Sequence, residues 1–273
     1  MVSDIASVTS AVVATQGASV QDKSFEHMRS KQLNLDAYGT DKIKLGYLDV
    51  YDPILVPWLD KEVKILELGV YQGRSLELWR DYFPRATIVG IDLELPDGFV
   101  LGERIKLFRG SQADTRFLSE VAGKTAPNGF DIIIDDASHI GEKTRMAFWY
   151  LFDHHLKPGG LYAIEDWGTG YLDDFPDGKK FRRRTPILGR VRSLLPKRIG
   201  RRMKVPFPCH SYGMVGFVKE LVDEQGAADI AMGTKAGSRK SKFKNILITP
   251  GIVVVAKAAA TLIAFPNEIR AKN

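Results

Sequence analysis

The chain of 273 residues has a single cysteine, Cys209, and contains no apolar run long enough to cross a bilayer. One thiol excludes an internal disulfide and a cysteine-rich zinc site, and this composition fits a reducing compartment. The first residues carry Asp4 but no early Lys or Arg, so they lack the charged start of a signal peptide. We therefore expect a cytoplasmic protein whose residues 1–24 form a flexible tail.

Acidic residues are absent from one long segment, residues 179–204, which contains twelve Lys or Arg. Removing those twelve from the 39 basic residues leaves 27 against 33 acidic ones, a net charge of −6 for the rest of the chain. The overall net charge of +6 therefore hides an acidic body with one strongly basic segment. Such a segment indicates an anionic partner surface more clearly than the overall charge does.

Short apolar strands alternate with amphipathic helices through the middle of the chain. Strands are predicted at 63–68, 86–91, 105–108, 131–134 and 161–164, and helices at 75–83, 115–121 and 143–154. This alternation predicts right-handed βαβ units and an α/β, doubly wound, Rossmann-like sheet that is mostly parallel. Two later apolar runs, 245–249 and 252–256, are joined by Pro250-Gly251 and predict a C-terminal antiparallel strand pair.

The pattern divides the chain into five parts. After the tail we expect an N-terminal helical cap at 25–60 and a core that carries the site at 61–167. A basic lid or insertion at 168–211 follows, and a C-terminal helix with strands that complete the sheet occupies 212–273. Within the insertion, the apolar residues of 187–195 fall on one helical face. Such a basic amphipathic helix can lie on an anionic membrane, cover the cleft or pack on another subunit, and a flexible loop is the open alternative.

Two acidic clusters follow two of the predicted strands. Asp135 and Asp136, with His139 close behind, come after 131–134, whereas Glu165 and Asp166 come after 161–164. Because open α/β sheets bind ligands at the carboxyl ends of their strands, both clusters should face one cleft. Converging carboxylates repel one another unless a hard cation such as Mg²⁺, Mn²⁺ or Ca²⁺ neutralises them. The pattern predicts a metal beside a base.

A second signal lies where the first strand turns into the first helix. Glu67 precedes Gly69 and Gly73, whose G-x-x-x-G spacing differs from the dinucleotide fingerprint G-x-G-x-x-G. Glycines there let the backbone approach a ligand, and Asp92 ends the next strand, where a carboxylate can accept ribose hydroxyl protons. A tight turn without a ligand is the open alternative, but the βαβ context favours a nucleoside cofactor.

An acid before G-x-x-x-G and another acid ending the next strand resemble the class I S-adenosylmethionine methyltransferases. The resemblance implies that Glu67 and the glycine loop hold the amino-acid end of the cofactor and that Asp92 holds its ribose. It further implies that Ser111 and Gln112 flank the adenine. The expected cofactor-binding residues also include Ser75 and Asp135.

Four blocks narrow the resemblance: Tyr38-Gly39-Thr40-Asp41-Lys42, the glycine loop, Asp135 to His139, and Lys157-Pro158-Gly159-Gly160 through Glu165-Asp166. Together they resemble the metal-dependent sugar O-methyltransferases of actinobacterial natural-product and glycolipid pathways, the group of the mycinamicin and demethylmacrocin O-methyltransferases. Cephalosporin-hydroxylase-type proteins share this scaffold. The resemblance covers roughly residues 36–167.

This narrower resemblance assigns roles to individual residues. It implies that Asp136, Glu165 and Asp166 bind Mg²⁺, or alternatively Mn²⁺, and that His139 is the general base, with Asp136 part of the catalytic centre. Tyr38, Thr40 and Lys42 are expected to lie over the cofactor. A plain capping or packing role for His139 is the open alternative.

The expected reaction is methyl transfer from S-adenosylmethionine to a sugar hydroxyl of a glycoside, oligosaccharide or glycolipid. A cephalosporin-hydroxylase-type enzyme and a non-catalytic, membrane-recruited cofactor-binding protein are the alternatives. Residues 179–204 could meet an anionic membrane at its inner face or a lipid-linked acceptor, and a homo-oligomer is left open. Nucleic acid is disfavoured because the basic segment lacks interleaved aromatic residues for base stacking.

Several nearby residues have simpler expected roles. Asp135 is expected to cap the following helix or orient a neighbour rather than to bind metal, and Ser211 is expected to be the N-cap of a helix at 212–224. Trp79 follows the helical spacing of a core residue. Trp167, directly after the acidic pair, is the candidate for stacking on the acceptor.

Overall fold

The computed structural model describes residues 28–96, 98, 102–184, 209–232 and 239–259. The expected tail at 1–24 and the amphipathic helix predicted at 187–195 lie outside these residues. In the part of the chain that is described, no helix combines the length and apolarity that a bilayer crossing requires.

One sheet organises the described residues. Its strands are β1 (Lys64–Leu68), β2 (Thr87–Asp92), β3 (Ile105–Arg109), β4 (Phe130–Asp135), β5 (Leu156–Glu165), β6 (Phe243–Ile248) and β7 (Ile252–Lys257). The α-helices are α1 (Asp41–Lys44), α2 (Tyr47–Leu55), α3 (Arg74–Tyr82), α4 (Thr115–Thr125), α5 (Gly141–His154), α6 (Pro176–Arg184), α7 (Gly213–Gln225) and α8 (Ala227–Met232). Short 3₁₀ turns occupy Arg29–Gln32, Leu35–Ala37, Val56–Trp58 and Trp167–Tyr171.

The strand order is β3-β2-β1-β4-β5-β7-β6, with β1 to β5 parallel and β7 antiparallel to both β5 and β6. The predicted fold class, with its C-terminal antiparallel pair, is confirmed. Order reverses between β1 and β4, which creates the crevice where open α/β sheets bind ligands. Leu68 of β1 pairs with Ile91 and Asp135, so the carboxyl ends of three strands lie side by side.

Helices cover both faces of the sheet, which explains why its central strands are apolar on both sides. On one face, Phe148 of α5 packs in a cluster with residues of α4 and α7. On the other, Trp79 of α3 lies edge-on to Tyr51 of α2, with ring centroids 5.2 Å apart. Trp79 has no exposed surface, so its predicted core position is confirmed.

The described part of the expected N-terminal helical cap, residues 28–60, consists of 3₁₀ turns and the short helices α1 and α2, with Gly46 in the left-handed region at φ 71°. Residues 157–160, which lie between the helix predicted at 143–154 and the strand predicted at 161–164, belong to the strand. The strand β5 begins at Leu156, which pairs with Phe130, and the register then shifts so that Leu161 pairs with Ile132.

The start of α7 also differs from expectation. Its N-cap is Tyr212, which makes no capping hydrogen bond through its side chain, so the Ser211 prediction was wrong. The free amide of Met214 instead donates to Oδ2 of Asp177, at 2.8 Å. Asp177 belongs to α6, a helix in the segment where the sequence pattern predicted irregular structure. A carboxylate from elsewhere in the chain therefore does the capping.

Candidate functional site

A cavity of about 1060 Å³ opens at the carboxyl edge of the sheet. Its walls come from the segment before α1 and from the turns that follow β1, β2, β3, β4 and β5. The predicted site residues in this wall are Thr40, Lys42, Gly69, Ser75, Asp92, Ser111, Gln112, Asp136, His139 and Asp166. The predicted residues Tyr38, Glu67, Gly73, Asp135 and Glu165 lie outside this wall.

The turn after β1 touches the turn after β4. Gly69 has φ 88°, and a Cβ atom there would overlap the carbonyl oxygen of Asp136. Only glycine permits both this backbone conformation and this close approach. Gly73, at φ 79°, is the N-cap of α3 and shapes the same turn from just outside the cavity. The G-x-x-x-G spacing therefore sets how near the two sides of the crevice come.

Asp92 fixes the glycine loop from the neighbouring strand. Its Oδ2 accepts hydrogen bonds from the backbone amides of Val70, at 2.6 Å, and Tyr71, at 2.9 Å. Tyr71 has φ 48°, a conformation uncommon for a residue other than glycine. Asp92 thus orders the loop while its side chain also borders the cavity.

Glu67 lies directly behind the cavity wall and has no exposed surface. Its Oε2 accepts from the Ser75 hydroxyl at 3.0 Å. Its Oε1 lies 3.4 Å from Lys42 Nζ and has no hydrogen-bond partner among the described residues. Burial raises the pKa of Glu67 to about 7, although the Lys42 ammonium opposes the shift. A buried carboxylate oxygen that accepts no hydrogen bond suits a ligand that brings a donor.

Lys42 stands among three carboxylates and is only 1% exposed. Its Nζ donates to Oδ2 of Asp136 at 2.7 Å and to Oε2 of Glu165 at 2.6 Å. Burial by itself lowers the pKa of Lys42, but the carboxylates of Glu165, Glu67 and Asp136 outweigh it and hold that pKa well above its usual value. The acidic centre therefore contains its own buried counter-ion.

Asp136, His139 and Asp166 bring one ligand atom each within 4.8 Å of one another. Two of them have left-handed backbones, His139 at φ 51° and Asp166 at φ 54°. Such strain at a cavity is typical of functional sites, where the surroundings hold the side chain in place. Two carboxylates facing solvent beside an imidazole fit a hard divalent cation such as Mg²⁺ or Mn²⁺.

Glu165, the third acid of the predicted metal set, is only 1% exposed and lies outside that group. Its Oε1 accepts from the Tyr51 hydroxyl at 2.6 Å, while its Oε2 accepts from Lys42. Burial raises the pKa of Glu165 to about 8 against the opposing charge of Lys42. Both of its oxygens are therefore engaged by protein donors.

Asp135 is buried beneath the loop that carries His139. It accepts hydrogen bonds from Gln112 Nε2 at 3.1 Å and from the Tyr162 hydroxyl at 3.2 Å. Gln112 Oε1 in turn accepts from the amide of Ser138 at 3.0 Å. The expectation that Asp135 caps the next helix was wrong, whereas its alternative role of orienting a neighbour matches these contacts. Gln112 links the turn after β3 to the loop after β4.

Three further predictions concern residues at the margin of the cavity. Tyr38 donates its hydroxyl to Oδ2 of Asp81 at 2.8 Å and is not part of the cavity wall. Thr40 lines the cavity and is the N-cap of α1. Trp167 donates its indole N–H to the carbonyl of Thr249 at 2.8 Å and packs partly buried against the core.

Some residues of the site carried no recognisable sequence signal. Tyr47 donates its hydroxyl to Oδ1 of Asp166. Tyr51, four positions later in the same helix, donates its hydroxyl to Oε1 of Glu165. Their i, i+4 spacing shows only that they share a helix face. Phe175 places its ring edge-on to that of His139, with centroids 5.7 Å apart. All three reach the site through contacts distant in sequence.

Comparison with known proteins identifies relatives of the chain, although no protein-family model matches it. Demethylmacrocin O-methyltransferase of Streptomyces fradiae is 35% identical over 196 residues, which cover 64% of this chain and 49% of the relative. Mycinamicin VI 2''-O-methyltransferase of Micromonospora griseorubida is 39% identical over 132 residues, 46% of this chain and 32% of the relative. The chain thus spans half or less of the length of these curated relatives.

A solved structure agrees with this relationship. The MycE methyltransferase of the mycinamycin biosynthetic pathway, in complex with Mg, SAH and mycinamycin VI, superposes with a TM-score of 0.58 at 27% identity. The match covers 81% of this chain and 52% of that one. The resemblance predicted from the motifs is confirmed by these matches.

Proposed function

Since the chain is related to the metal-dependent sugar O-methyltransferases, we propose that it transfers methyl from S-adenosylmethionine to a sugar hydroxyl in a Mg²⁺-dependent reaction. One observation carries the proposal. A single cavity is bordered on one side by the glycine loop with Asp92, and on the other by Asp136, His139 and Asp166. The two sets of groups needed for this chemistry are adjacent.

Bound S-adenosylmethionine supplies a methyl group on a positively charged sulfur. Glu67, whose Oε1 accepts no hydrogen bond, would receive the amino-acid end together with the Gly69 and Gly73 turn, and Ser75 holds the Glu67 carboxylate in place. Asp92 would meet the ribose. Ser111 and Gln112 would flank the adenine. Because the methyl is already activated, the protein has mainly to align the acceptor oxygen and make it nucleophilic.

A bound divalent cation would position two sugar hydroxyls and lower the pKa of one of them. Asp136 and Asp166 face the cavity and are the first two proposed ligands. Glu165 is the third, and its ligation requires release of its contact with Lys42. His139 is the proposed base, because its Nε2 lies 4.0 Å from Asp136 Oδ1 and its side chain is open to the cavity. It would take the proton of the acceptor hydroxyl.

The finer parts of the proposal concern the acceptor and the basic segment. The relatives' names point to sugars attached to macrolides or other polyketides. We extend this to lipid-linked acceptors, since residues 179–204 bring twelve positive charges and no acid. In this proposal the core at 61–167 holds cofactor and metal, the segment 168–211 lies over the cleft, and the protein is cytoplasmic with peripheral contact to an anionic membrane. Association of two copies is compatible with it.

The test is a screen of acceptors followed by mass spectrometry. The full chain is incubated with S-adenosylmethionine, Mg²⁺ and glycosylated macrolides, polyketide glycosides, oligosaccharides or glycolipids. The expected result is a singly methylated sugar and release of S-adenosylhomocysteine, abolished by EDTA and restored by Mg²⁺. His139→Ala should lower turnover by orders of magnitude to a small residual rate, while the exposed His154→Ala is the matched control.

Other outcomes would overturn parts of the proposal. An acceptor that gains oxygen instead of a methyl group would favour the hydroxylase-type alternative. Tight cofactor binding without turnover on any acceptor would favour a binding protein. Sedimentation with vesicles of anionic lipid, compared with neutral vesicles, tests the membrane contact, and equal sedimentation with both would remove that part alone.

A further inference from the structure

A short segment before α6 forms one side of the ring environment of His139. The ring of Phe175 makes a T-shaped contact with the imidazole, at an interplanar angle of 79° and a centroid distance of 5.7 Å. On another side, His139 Nε2 lies 4.0 Å from Oδ1 of Asp136. The imidazole is 19% exposed, so it stays reachable from the cavity while two neighbours limit its rotation.

Asp177 anchors this segment to the core. The residue is only 2% exposed, and its Oδ2 accepts from the amide of Gly141 at 2.7 Å and from the amide of Met214 at 2.8 Å. One carboxylate thereby caps α5 and α7 together, at the positive ends of both helices. Gly141 follows His139 by two residues, so this anchor ties Phe175 and His139 to the same helix start.

Close packing leaves the segment little freedom. A Cβ atom on Gly213 would overlap the carboxylate of Asp177, and one on Gly178 would overlap the carbonyl of Leu172. Phe175 itself is partly buried and belongs to neither of the two hydrophobic clusters found in the described residues. Its ring therefore contacts His139 without being part of either hydrophobic cluster.

We propose that Phe175 is a positioning residue for His139, held in place by Asp177. The inference rests on the proposed function, in which His139 is the base. Proton transfer requires the imidazole to point at the acceptor oxygen, and the left-handed backbone of His139 alone leaves its ring free to turn. The ring of Phe175, in T-shaped contact with the imidazole, restricts that rotation.

The test is a double-mutant cycle on the full chain. Phe175→Ala should lower kcat on the order of tenfold to a hundredfold, as expected for a misplaced catalytic group, with the cofactor Kd and the Tm nearly unchanged. Phe175→Tyr, which keeps the ring, should retain most activity. In a His139→Ala background, Phe175→Ala should cause no further loss of kcat, because the imidazole that Phe175 positions is absent. Phe181→Ala, which removes a ring stacked on His210, is the matched control.

Equal losses of kcat in both backgrounds, or an unchanged kcat, would overturn the inference. A second readout separates it from the proposed function. With ¹³C-labelled histidine, the ring signal assigned through His139→Ala should move in Phe175→Ala, and in the same direction in Asp177→Asn, even if no acceptor is methylated. An inactive wild type with this movement would defeat the proposed function alone, and a stationary signal would defeat the positioning role.

Discussion

Lys42 and Asp136 are 94 positions apart in the chain, yet Nζ of the lysine donates to Oδ2 of the aspartate at 2.7 Å. The same ammonium contacts Glu165 and Glu67, so one buried cation joins the cofactor side of the cavity to the metal side. A cluster of acids can persist in the folded protein without metal because this charge offsets part of their repulsion. The stability of the site and its binding of a cation are therefore linked.

Removing the buried ammonium should destabilise the protein. Lys42→Met leaves three buried or partly buried carboxylates without their counter-ion, and breaking such a pair costs about 3–5 kcal/mol. Chemical denaturation in EDTA should show this loss, and added Mg²⁺ should recover part of it by supplying charge. Lys44→Met, on the exposed side of the same helix, is the control and should change little. A Lys42→Met protein as stable as the wild type would contradict this account.

Metal affinity should separate ligands from supporting residues. Asp136→Asn should weaken Mg²⁺ binding by more than the ~10–100-fold typical of outer partners. Glu165→Gln should match that loss if Glu165 ligates the ion, and should fall within the smaller range if it only holds Lys42 and Tyr51. Isothermal titration measures both. Asp174→Asn, an exposed neighbour of the site, provides the baseline, and an Asp136→Asn protein at that baseline would remove Asp136 from the metal site.

Loss of the Asp92 side chain should affect the cofactor more than the metal. Asp92→Ala removes two charge-assisted hydrogen bonds to the glycine loop as well as the proposed ribose contact. The cofactor Kd should rise about tenfold or more while the Mg²⁺ Kd stays within error. Equilibrium binding of S-adenosylhomocysteine provides the measurement. Glu103→Ala, exposed and outside the cavity wall, should leave both constants unchanged.

The buried Asp135 should make stability depend on pH. Burial raises its pKa from 3.8 to about 7, so the folded protein holds its proton through a range where the unfolded chain has released it. Its contribution is complete below pH 4 and declines as the pH rises toward 7. Between pH 5 and pH 7, the free energy of unfolding of the metal-free wild type should fall by about 2 kcal/mol more than that of Asp135→Asn. A stability difference that stays constant across this range would show that Asp135 is ionised throughout.

Much of the site could be anticipated because it depends on local pattern. The turn at Gly69 and the carboxylate at Asp92 follow strands whose apolar runs and lengths are visible in the chain. Parallel pairing then brings those strand ends to one edge, whatever the details of packing. The placement of Asp136 and Asp166 beside His139 follows from the same rule.

Other features depend on contacts that no spacing encodes. Strand β5 includes residues 157–160, because a register shift in its pairing with β4 accommodates their proline and glycines. Ser211 does not cap α7, because Asp177 of a neighbouring helix accepts the hydrogen bond from the free amide of Met214. Glu165 lies with Lys42 and Tyr51 because α1 and α2 pack over the end of β5.

The sequence by itself determined the doubly wound sheet, its antiparallel end and the edge at which acids, glycines and an imidazole collect. Periodicity and turn residues act over a few positions, so they are legible in one chain. Only the tertiary structure decided which acids face the cavity, which one pairs with the buried ammonium of Lys42, and which ring confines His139. Those choices come from close packing between segments tens of residues apart, where sterics and desolvation select one arrangement among many with the same pattern.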